Sequence, residues 1–133
     1  MKKSGFSLLV ILITMAILGI LISLSYPLYV QHIIKTRRLE AKTTLYALAE
    51  SLEQFYTENM TYNPVTLKQL GFDKFTLQGF YSLDIELQQD GYLLKAIPQG
   101  IQAIQDKKCG ILTLNSLGKT NISGTATINE CWH

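Results

Sequence analysis

Cys109 and Cys131 are the only cysteines of this 133-residue chain, 22 positions apart and both in its last quarter. They can form a disulfide, stay as two buried thiols, or supply part of a metal site. The metal reading is the poorest, because the two histidines, His32 and His133, have no zinc-type spacing to the cysteines. The disulfide is favoured: closing a loop of that size stabilises by roughly 3 kcal/mol on chain-entropy grounds. Such a bond persists in the periplasm or outside the cell rather than in the cytosol. Lys107, Lys108 and Lys119 flank the same loop, with Trp132 beside them. Lysines and an indole together offer phosphate neutralisation and base stacking, the chemistry of a small DNA contact. Asp106 and Glu130 weigh against a net positive patch, and the alternative is solvated lysines with Trp132 packed on the disulfide. No nucleophile–base set or Gly-rich phosphate cradle is present. The expectation is no catalytic residue, no cofactor, no metal, and a protein that is not an enzyme.

The elements that must position these residues begin with an apolar N-terminus. Between Lys3 and Lys35 no Asp, Glu, Lys or Arg occurs, and about 20 such residues in a helix cross a ~30 Å hydrocarbon core. A secretory signal is shorter, about 7–15 apolar residues, with a small-residue cleavage site on its far side. Here the far side reads Ser25-Tyr26-Pro27-Leu28-Tyr29, and the small residue beside the basic start is Gly5, on the near side. Lys2 and Lys3 before the run nearly balance Lys35, Arg37 and Arg38 after it, so loop charge alone leaves orientation open. An oxidised Cys109–Cys131 pair would put the C-terminal part in the periplasm.

Past Pro27 the helical pattern continues. Ile34, Ala41, Leu45, Leu48, Leu52 and Phe55 form one apolar stripe, with Arg37, Arg38, Lys42, Glu50, Glu53 and Glu58 assigned to solvated faces. One helix from Phe6 to about Tyr56 would be ~75 Å long, and Pro27 permits a kink. A separate anchor and soluble helix is the other reading of the same pattern. Asn63-Pro64 then suits the start of a short helix and Gly71 its end. "YSLDIELQ" alternates as a strand, Asp90-Gly91 signals a hairpin turn, and "YLLKAIP" returns as the partner. "GILTLNS" is predicted as a third strand, turning at Leu117-Gly118, and "TATINECW" as a fourth. The fold class is α+β: a long N-terminal helix packed on a small antiparallel sheet.

The N-terminal residues resemble the class III signal of type IV pilins and their type II secretion relatives. Leader Lys2 and Lys3, then Gly5, Phe6 and Ser7-Leu8-Leu9, match that pattern residue by residue. Gly19 and Pro27 fall where pilins carry a helix-loosening Gly and a kinking Pro. The C-terminal disulfide is usual in the family. "LEQFYTENMTYNPVTLKQLG" and "DKKCGILTLNSLGK…ECWH" are similar to the PilE-like minor pilins, which include the ComP type of DNA-uptake pilin. The resemblance implies a leader of residues 1–5 and cleavage after Gly5 by a prepilin peptidase. It also implies N-methylation of Phe6, a membrane and filament-core helix over 6–34, and a globular head over 35–133. Its implied partners are other pilin subunits through the N-terminal helix, the inner membrane, the prepilin peptidase and the assembly machinery. The implied course runs from a single-pass inner-membrane subunit, head in the periplasm, to a pilus at the cell surface.

One residue departs from the pattern: pilins carry Glu at the fifth mature position, where this chain has Val10. Pseudopilins lacking that Glu are associated with filament tips, so the resemblance implies entry early, at or near a tip. Losing residues 1–5 leaves ten basic against ten acidic side chains, a poor balance for DNA. The resulting expectation is a minor type IV pilin supporting pilus biogenesis, adhesion or motility. DNA reception through Lys107, Lys108 and Lys119, or a type II secretion pseudopilin, is the alternative.

Overall fold

The computed structural model describes residues 5–133. Helix α1 spans Leu8–Asn59, and the chain divides between Ile33 and Ile34 into two compact units. In the first unit no described side chain is buried. Its apolar stretch, with a mean hydropathy of 2.8 over the most apolar window, is long enough to cross a membrane. Pro27 is accommodated inside the helix. The hydroxyls of Thr14, Ser23 and Ser25 donate to carbonyls three or four residues back, which spares hydrocarbon an unpaired donor.

The second unit holds the sheet. Strands β1 (Tyr81–Gln88), β2 (Gly91–Pro98), β3 (Leu112–Asn115) and β4 (Thr120–Ile122) form an antiparallel meander in the order β1-β2-β3-β4. Helix α2 (Gly100–Gln105) lies in the β2–β3 connection, and α3 (Ile128–Trp132) ends the fold. Ala41, Leu45, Leu48 and Leu52 of α1 are fully buried against Tyr81, Leu83, Tyr92, Leu94, Ala96, Leu112 and Leu114 of the sheet. β3 and the stretch of β2 from Tyr92 to Ala96 bury alternate residues, as a sheet with one covered face requires, whereas β1 buries Tyr81, Ser82 and Leu83 in succession and β4 buries none. Phe55, placed on the stripe by its spacing, is only half-buried.

Several local expectations need correction. The first hairpin pairs Gln88 with Gly91, so its two loop residues are Gln89 and Asp90, and Gly91 already belongs to β2. Gly91 is required for close approach: a Cβ there would overlap the Ser116 hydroxyl. No helix starts at Asn63-Pro64, whose peptide bond is cis. The start signal sits at Thr66, whose N–H donates to Gln69 Oε1 at 2.8 Å while its Oγ1 accepts from Gln69 N at 3.3 Å. This reciprocal capping pair opens a single turn closed by Gly71.

"TATINECW" is not a strand. Thr127 caps α3 by accepting from Glu130 N, and the fourth strand is the earlier segment Thr120–Ile122. The β3–β4 turn at Leu117-Gly118 forms as expected, with Asn115 Oδ1 accepting from the N–H groups of Leu117 and Lys119.

Candidate functional site

At the N-terminus the described residues present a bare, accessible segment. A Cβ on Gly5 would meet nothing within 4 Å, and the same holds at Gly19. Phe6 is 85% exposed, just ahead of the first turn of α1. Lys2 and Lys3 lie outside the described residues. Val10 is exposed on the apolar surface, and its carbonyl accepts from Thr14 Oγ1 at 2.7 Å. The Thr14 donor is therefore engaged within its own helix and does not supply the charge that an acid at position 10 would bring. So large an apolar surface requires a cover, lipid or other helices.

The C-terminal region is built round the Cys109–Cys131 disulfide, whose Cα atoms lie 5.8 Å apart; both cysteines are fully buried. The bond brings the residues that precede its two ends together. Lys108 Nζ donates to Glu130 Oε1 at 2.6 Å on the surface. The hydrogen bond from Lys108, with its charge, lowers the Glu130 pKa. Gly124 passes so close to the Lys108 carbonyl that a Cβ would overlap it, and Ala126 N donates to that same carbonyl at 2.9 Å. Loop 123–126 is thereby held flat against the residues ahead of Cys109.

This geometry separates the three lysines considered for a DNA contact. Lys108 is neutralised by Glu130. Lys107 is exposed, with no ion pair among the described residues. Lys119 lies across the β3–β4 hairpin, in a shallow groove of about 450 Å³ on the outer sheet face, with Lys95, Asn115 and Asn121. Neither Lys107 nor Lys108 lines that groove. Trp132 is no stacking platform: it is buried, packed edge-on at 5.8 Å to Tyr46, and its Nε1–H donates to the Asn121 carbonyl at 3.0 Å.

Arg38 overturns its assignment to a solvated face. It is buried and bonds Asp106 through two parallel contacts, Nε to Oδ2 at 2.9 Å and Nη2 to Oδ1 at 2.6 Å. Gln102 Nε2 joins this centre and donates to the Ile34 carbonyl at 3.3 Å and to the Tyr81 hydroxyl at 3.0 Å. Burial pushes the Tyr81 hydroxyl up to about 12. Beside the centre, burial lowers the Lys42 pKa, aided by repulsion from Arg38; Lys42 Nζ donates to the Trp132 carbonyl at 3.3 Å. The network fastens α2 and the run into Cys109 to the first turns of the buried stripe. A fork of two charge-assisted bonds fixes orientation as well as attraction.

These parts define a class of protein. An apolar N-terminal helix whose second half packs on a four-stranded antiparallel sheet, with a disulfide clasping the C-terminal loop, is a pilin-type subunit. Residues 27–113 match the family described as type IV minor pilin ComP, DNA uptake sequence receptor. The chain belongs to that family.

The type IV major pilin protein PilA of Myxococcus xanthus is 31% identical over 71 residues, 53% of this chain; the chain spans about a third of PilA, 32% of its length. The type II secretion system core protein G of Aeromonas hydrophila is 27% identical over 129 residues, covering 93% of this chain and 88% of that protein. Among solved structures, the non-core minor pilin PilV of Neisseria meningitidis superposes with a TM-score of 0.55 at 25% identity, covering 72% of this chain and 92% of that one. Pilins are structural subunits that assemble with one another in a pilus, and the apolar helix anchors such a subunit in a membrane.

Proposed function

We propose that this chain is a minor pilin made as a precursor, cut after Gly5, N-methylated at Phe6, and held in the inner membrane with its head in the periplasm until it is added to a filament. Residues 6–34 serve as the packing segment and 35–133 as the head presented at the surface. The chain does no chemistry of its own. The observation that carries this reading is the exposed apolar surface of α1, joined to a disulfide-clasped head of the pilin fold. In the filament, neighbouring helices replace lipid as the cover for that surface.

Val10 supports placement at or near a tip. A carboxylate in hydrocarbon costs several kcal/mol unless paired, so an acid at that position selects for a preceding subunit that neutralises it. Val10 needs no such neighbour. The test is an epitope-tagged chain expressed with a complete pilus machinery, followed by shearing and immunogold labelling. Label confined to filament ends supports the reading, and Val10→Glu should spread it along the shaft. Absence from the sheared fraction, with the Gly5→Ala variant indistinguishable from the parent, would overturn it.

A second reading, DNA reception, is favoured by the family's description as a DNA uptake sequence receptor. The cations left for it are Lys107 and Lys119, since Lys108 is paired with Glu130 and Lys95 with Glu86. A gel-shift series against salt separates the two readings. Binding that weakens in Lys107→Ala or Lys119→Ala and falls steeply with salt supports DNA reception; salt-insensitive or absent binding excludes it.

A further inference from the structure

Where α1 ends, the head carries a hollow of about 590 Å³, within the ~300–1,000 Å³ of small-molecule sites. One wall is the Tyr56 ring with Thr61 and Asn63; the other is the first hairpin turn, with Gln88, Gln89 and Asp90.

The aromatic wall is pre-set. Tyr56 stacks on Tyr62 at 4.7 Å, and Tyr62 meets the buried ring of Tyr92 edge-on at 5.2 Å. The hydroxyls of Tyr62 and Tyr92 donate to the same oxygen of Glu53, at 3.0 and 3.1 Å. The opposite wall is pinned by the close approach of Gly91 to Ser116.

The polar groups at the rim are uncommitted. Among the described residues no hydrogen bond or ion pair engages the side chains of Asn63, Gln88, Gln89 or Asp90. Amides offer both donors and acceptors and the carboxylate accepts. Among the described residues Asp90 is the one charged residue lining the hollow, and no cation lines it. A phosphate backbone is therefore repelled here, whereas a neutral ligand with an apolar C–H face and a rim of hydroxyls is matched on both counts.

We propose that this hollow binds a neutral carbohydrate, the sugar's C–H face lying on Tyr56 and its hydroxyls bonding to Asn63, Gln88 and Asp90. The site is contained in the head, so it stands whether or not the leader is cut.

The test is saturation-transfer NMR on the full chain in lauryldimethylamine oxide, a detergent without a sugar headgroup. The probes are maltotriose, cellobiose, lactose and N,N′-diacetylchitobiose, with a single-stranded oligonucleotide as the competing class. Transfer to the ring protons of at least one sugar is expected. Tyr56→Ala should weaken it about 2- to 10-fold, the range of a lost aromatic contact, with the near-ultraviolet circular dichroism of the head retained. Asn63→Ala, which leaves the aromatic row intact, should also weaken it. Transfer to none of the sugars, transfer unchanged in both variants, or a Tyr56-dependent signal from the oligonucleotide alone would each overturn the proposal.

Discussion

Replacing Asp106 with Ala leaves Arg38 a buried cation without its counter-charge. The Arg38 and Asp106 side chains are 5% and 1% exposed, and the two lost bonds are those at 2.9 and 2.6 Å. Removing one partner of such a pair costs about 3–5 kcal/mol, because the remaining charge is desolvated and unpaired. Gln102 Nε2 also donates to Asp106 Oδ2 at 3.4 Å and loses that bond, while its unpartnered Oε1 is a neutral acceptor that supplies no counter-charge to Arg38. For a unit of about 100 residues, 1 kcal/mol moves the midpoint by roughly 4–8 °C, so Asp106→Ala should lower it by more than about 12 °C. The assay is thermal unfolding of the full chain in detergent, followed by the fluorescence of Trp132, the single tryptophan, which lies in the head and not in the apolar helix. The double variant Arg38→Leu/Asp106→Leu removes both charges and should recover most of the loss. A fall of less than about 4 °C for Asp106→Ala, corresponding to under ~1 kcal/mol, would refute the reasoning. So would a double variant no more stable than the single one.

Other perturbations have equally direct readouts. Cys109→Ser/Cys131→Ser should cost about 3 kcal/mol and expose Trp132, seen as a red shift of its emission; an unshifted spectrum and midpoint would contradict the packing. Gly124→Ala forces a methyl onto the Lys108 carbonyl and should cost about 1–3 kcal/mol, read from denaturant midpoints against Thr125→Ala, an exposed neighbouring position, as the control. Tyr62 and Tyr81 have pKa values raised from 10.0 to about 12, chiefly by burial, and Tyr92 is raised further. Their neutral forms are what the folded head accommodates. Stability should hold up to about pH 10 and fall as pH rises from there through about 12, with phenolate absorbance at 295 nm appearing late. Phenolate complete by pH 10.5 in the folded head would contradict the burial of these rings.

Periodicity carried the reading where burial follows spacing and broke down where long-range pairing or local capping intervenes. The stripe from Ala41 to Leu52, the first two strands and the disulfide were legible because each announces itself by spacing, alternation or count. Arg38 was misread because its charge outweighed its position: 34, 38, 41 and 45 is an unbroken helical stripe, and the partner Asp106 lies 68 residues away. The capping pairs Thr66–Gln69 and Thr127–Glu130 share the spacing T-x-x-E/Q and were detectable; alternation in "TATINECW" masked the second.

The Lys108–Glu130 pair was also within reach, since each residue immediately precedes a cysteine of the disulfide. Helix α2 is short and carries no side-chain cap at Gln99, so nothing local marks it. Its position depends on Gln102 and Asp106 reaching a helix far away in sequence.

The most direct measurement is the intact mass of the full chain purified from membranes containing a prepilin peptidase, beside a Gly5→Ala control. A mass lacking residues 1–5 and carrying one added methyl group, with the control uncut, is the result expected. An uncut mass in both would make Gly5 an ordinary glycine ahead of a plain membrane anchor and contradict the pilin pathway proposed for this chain.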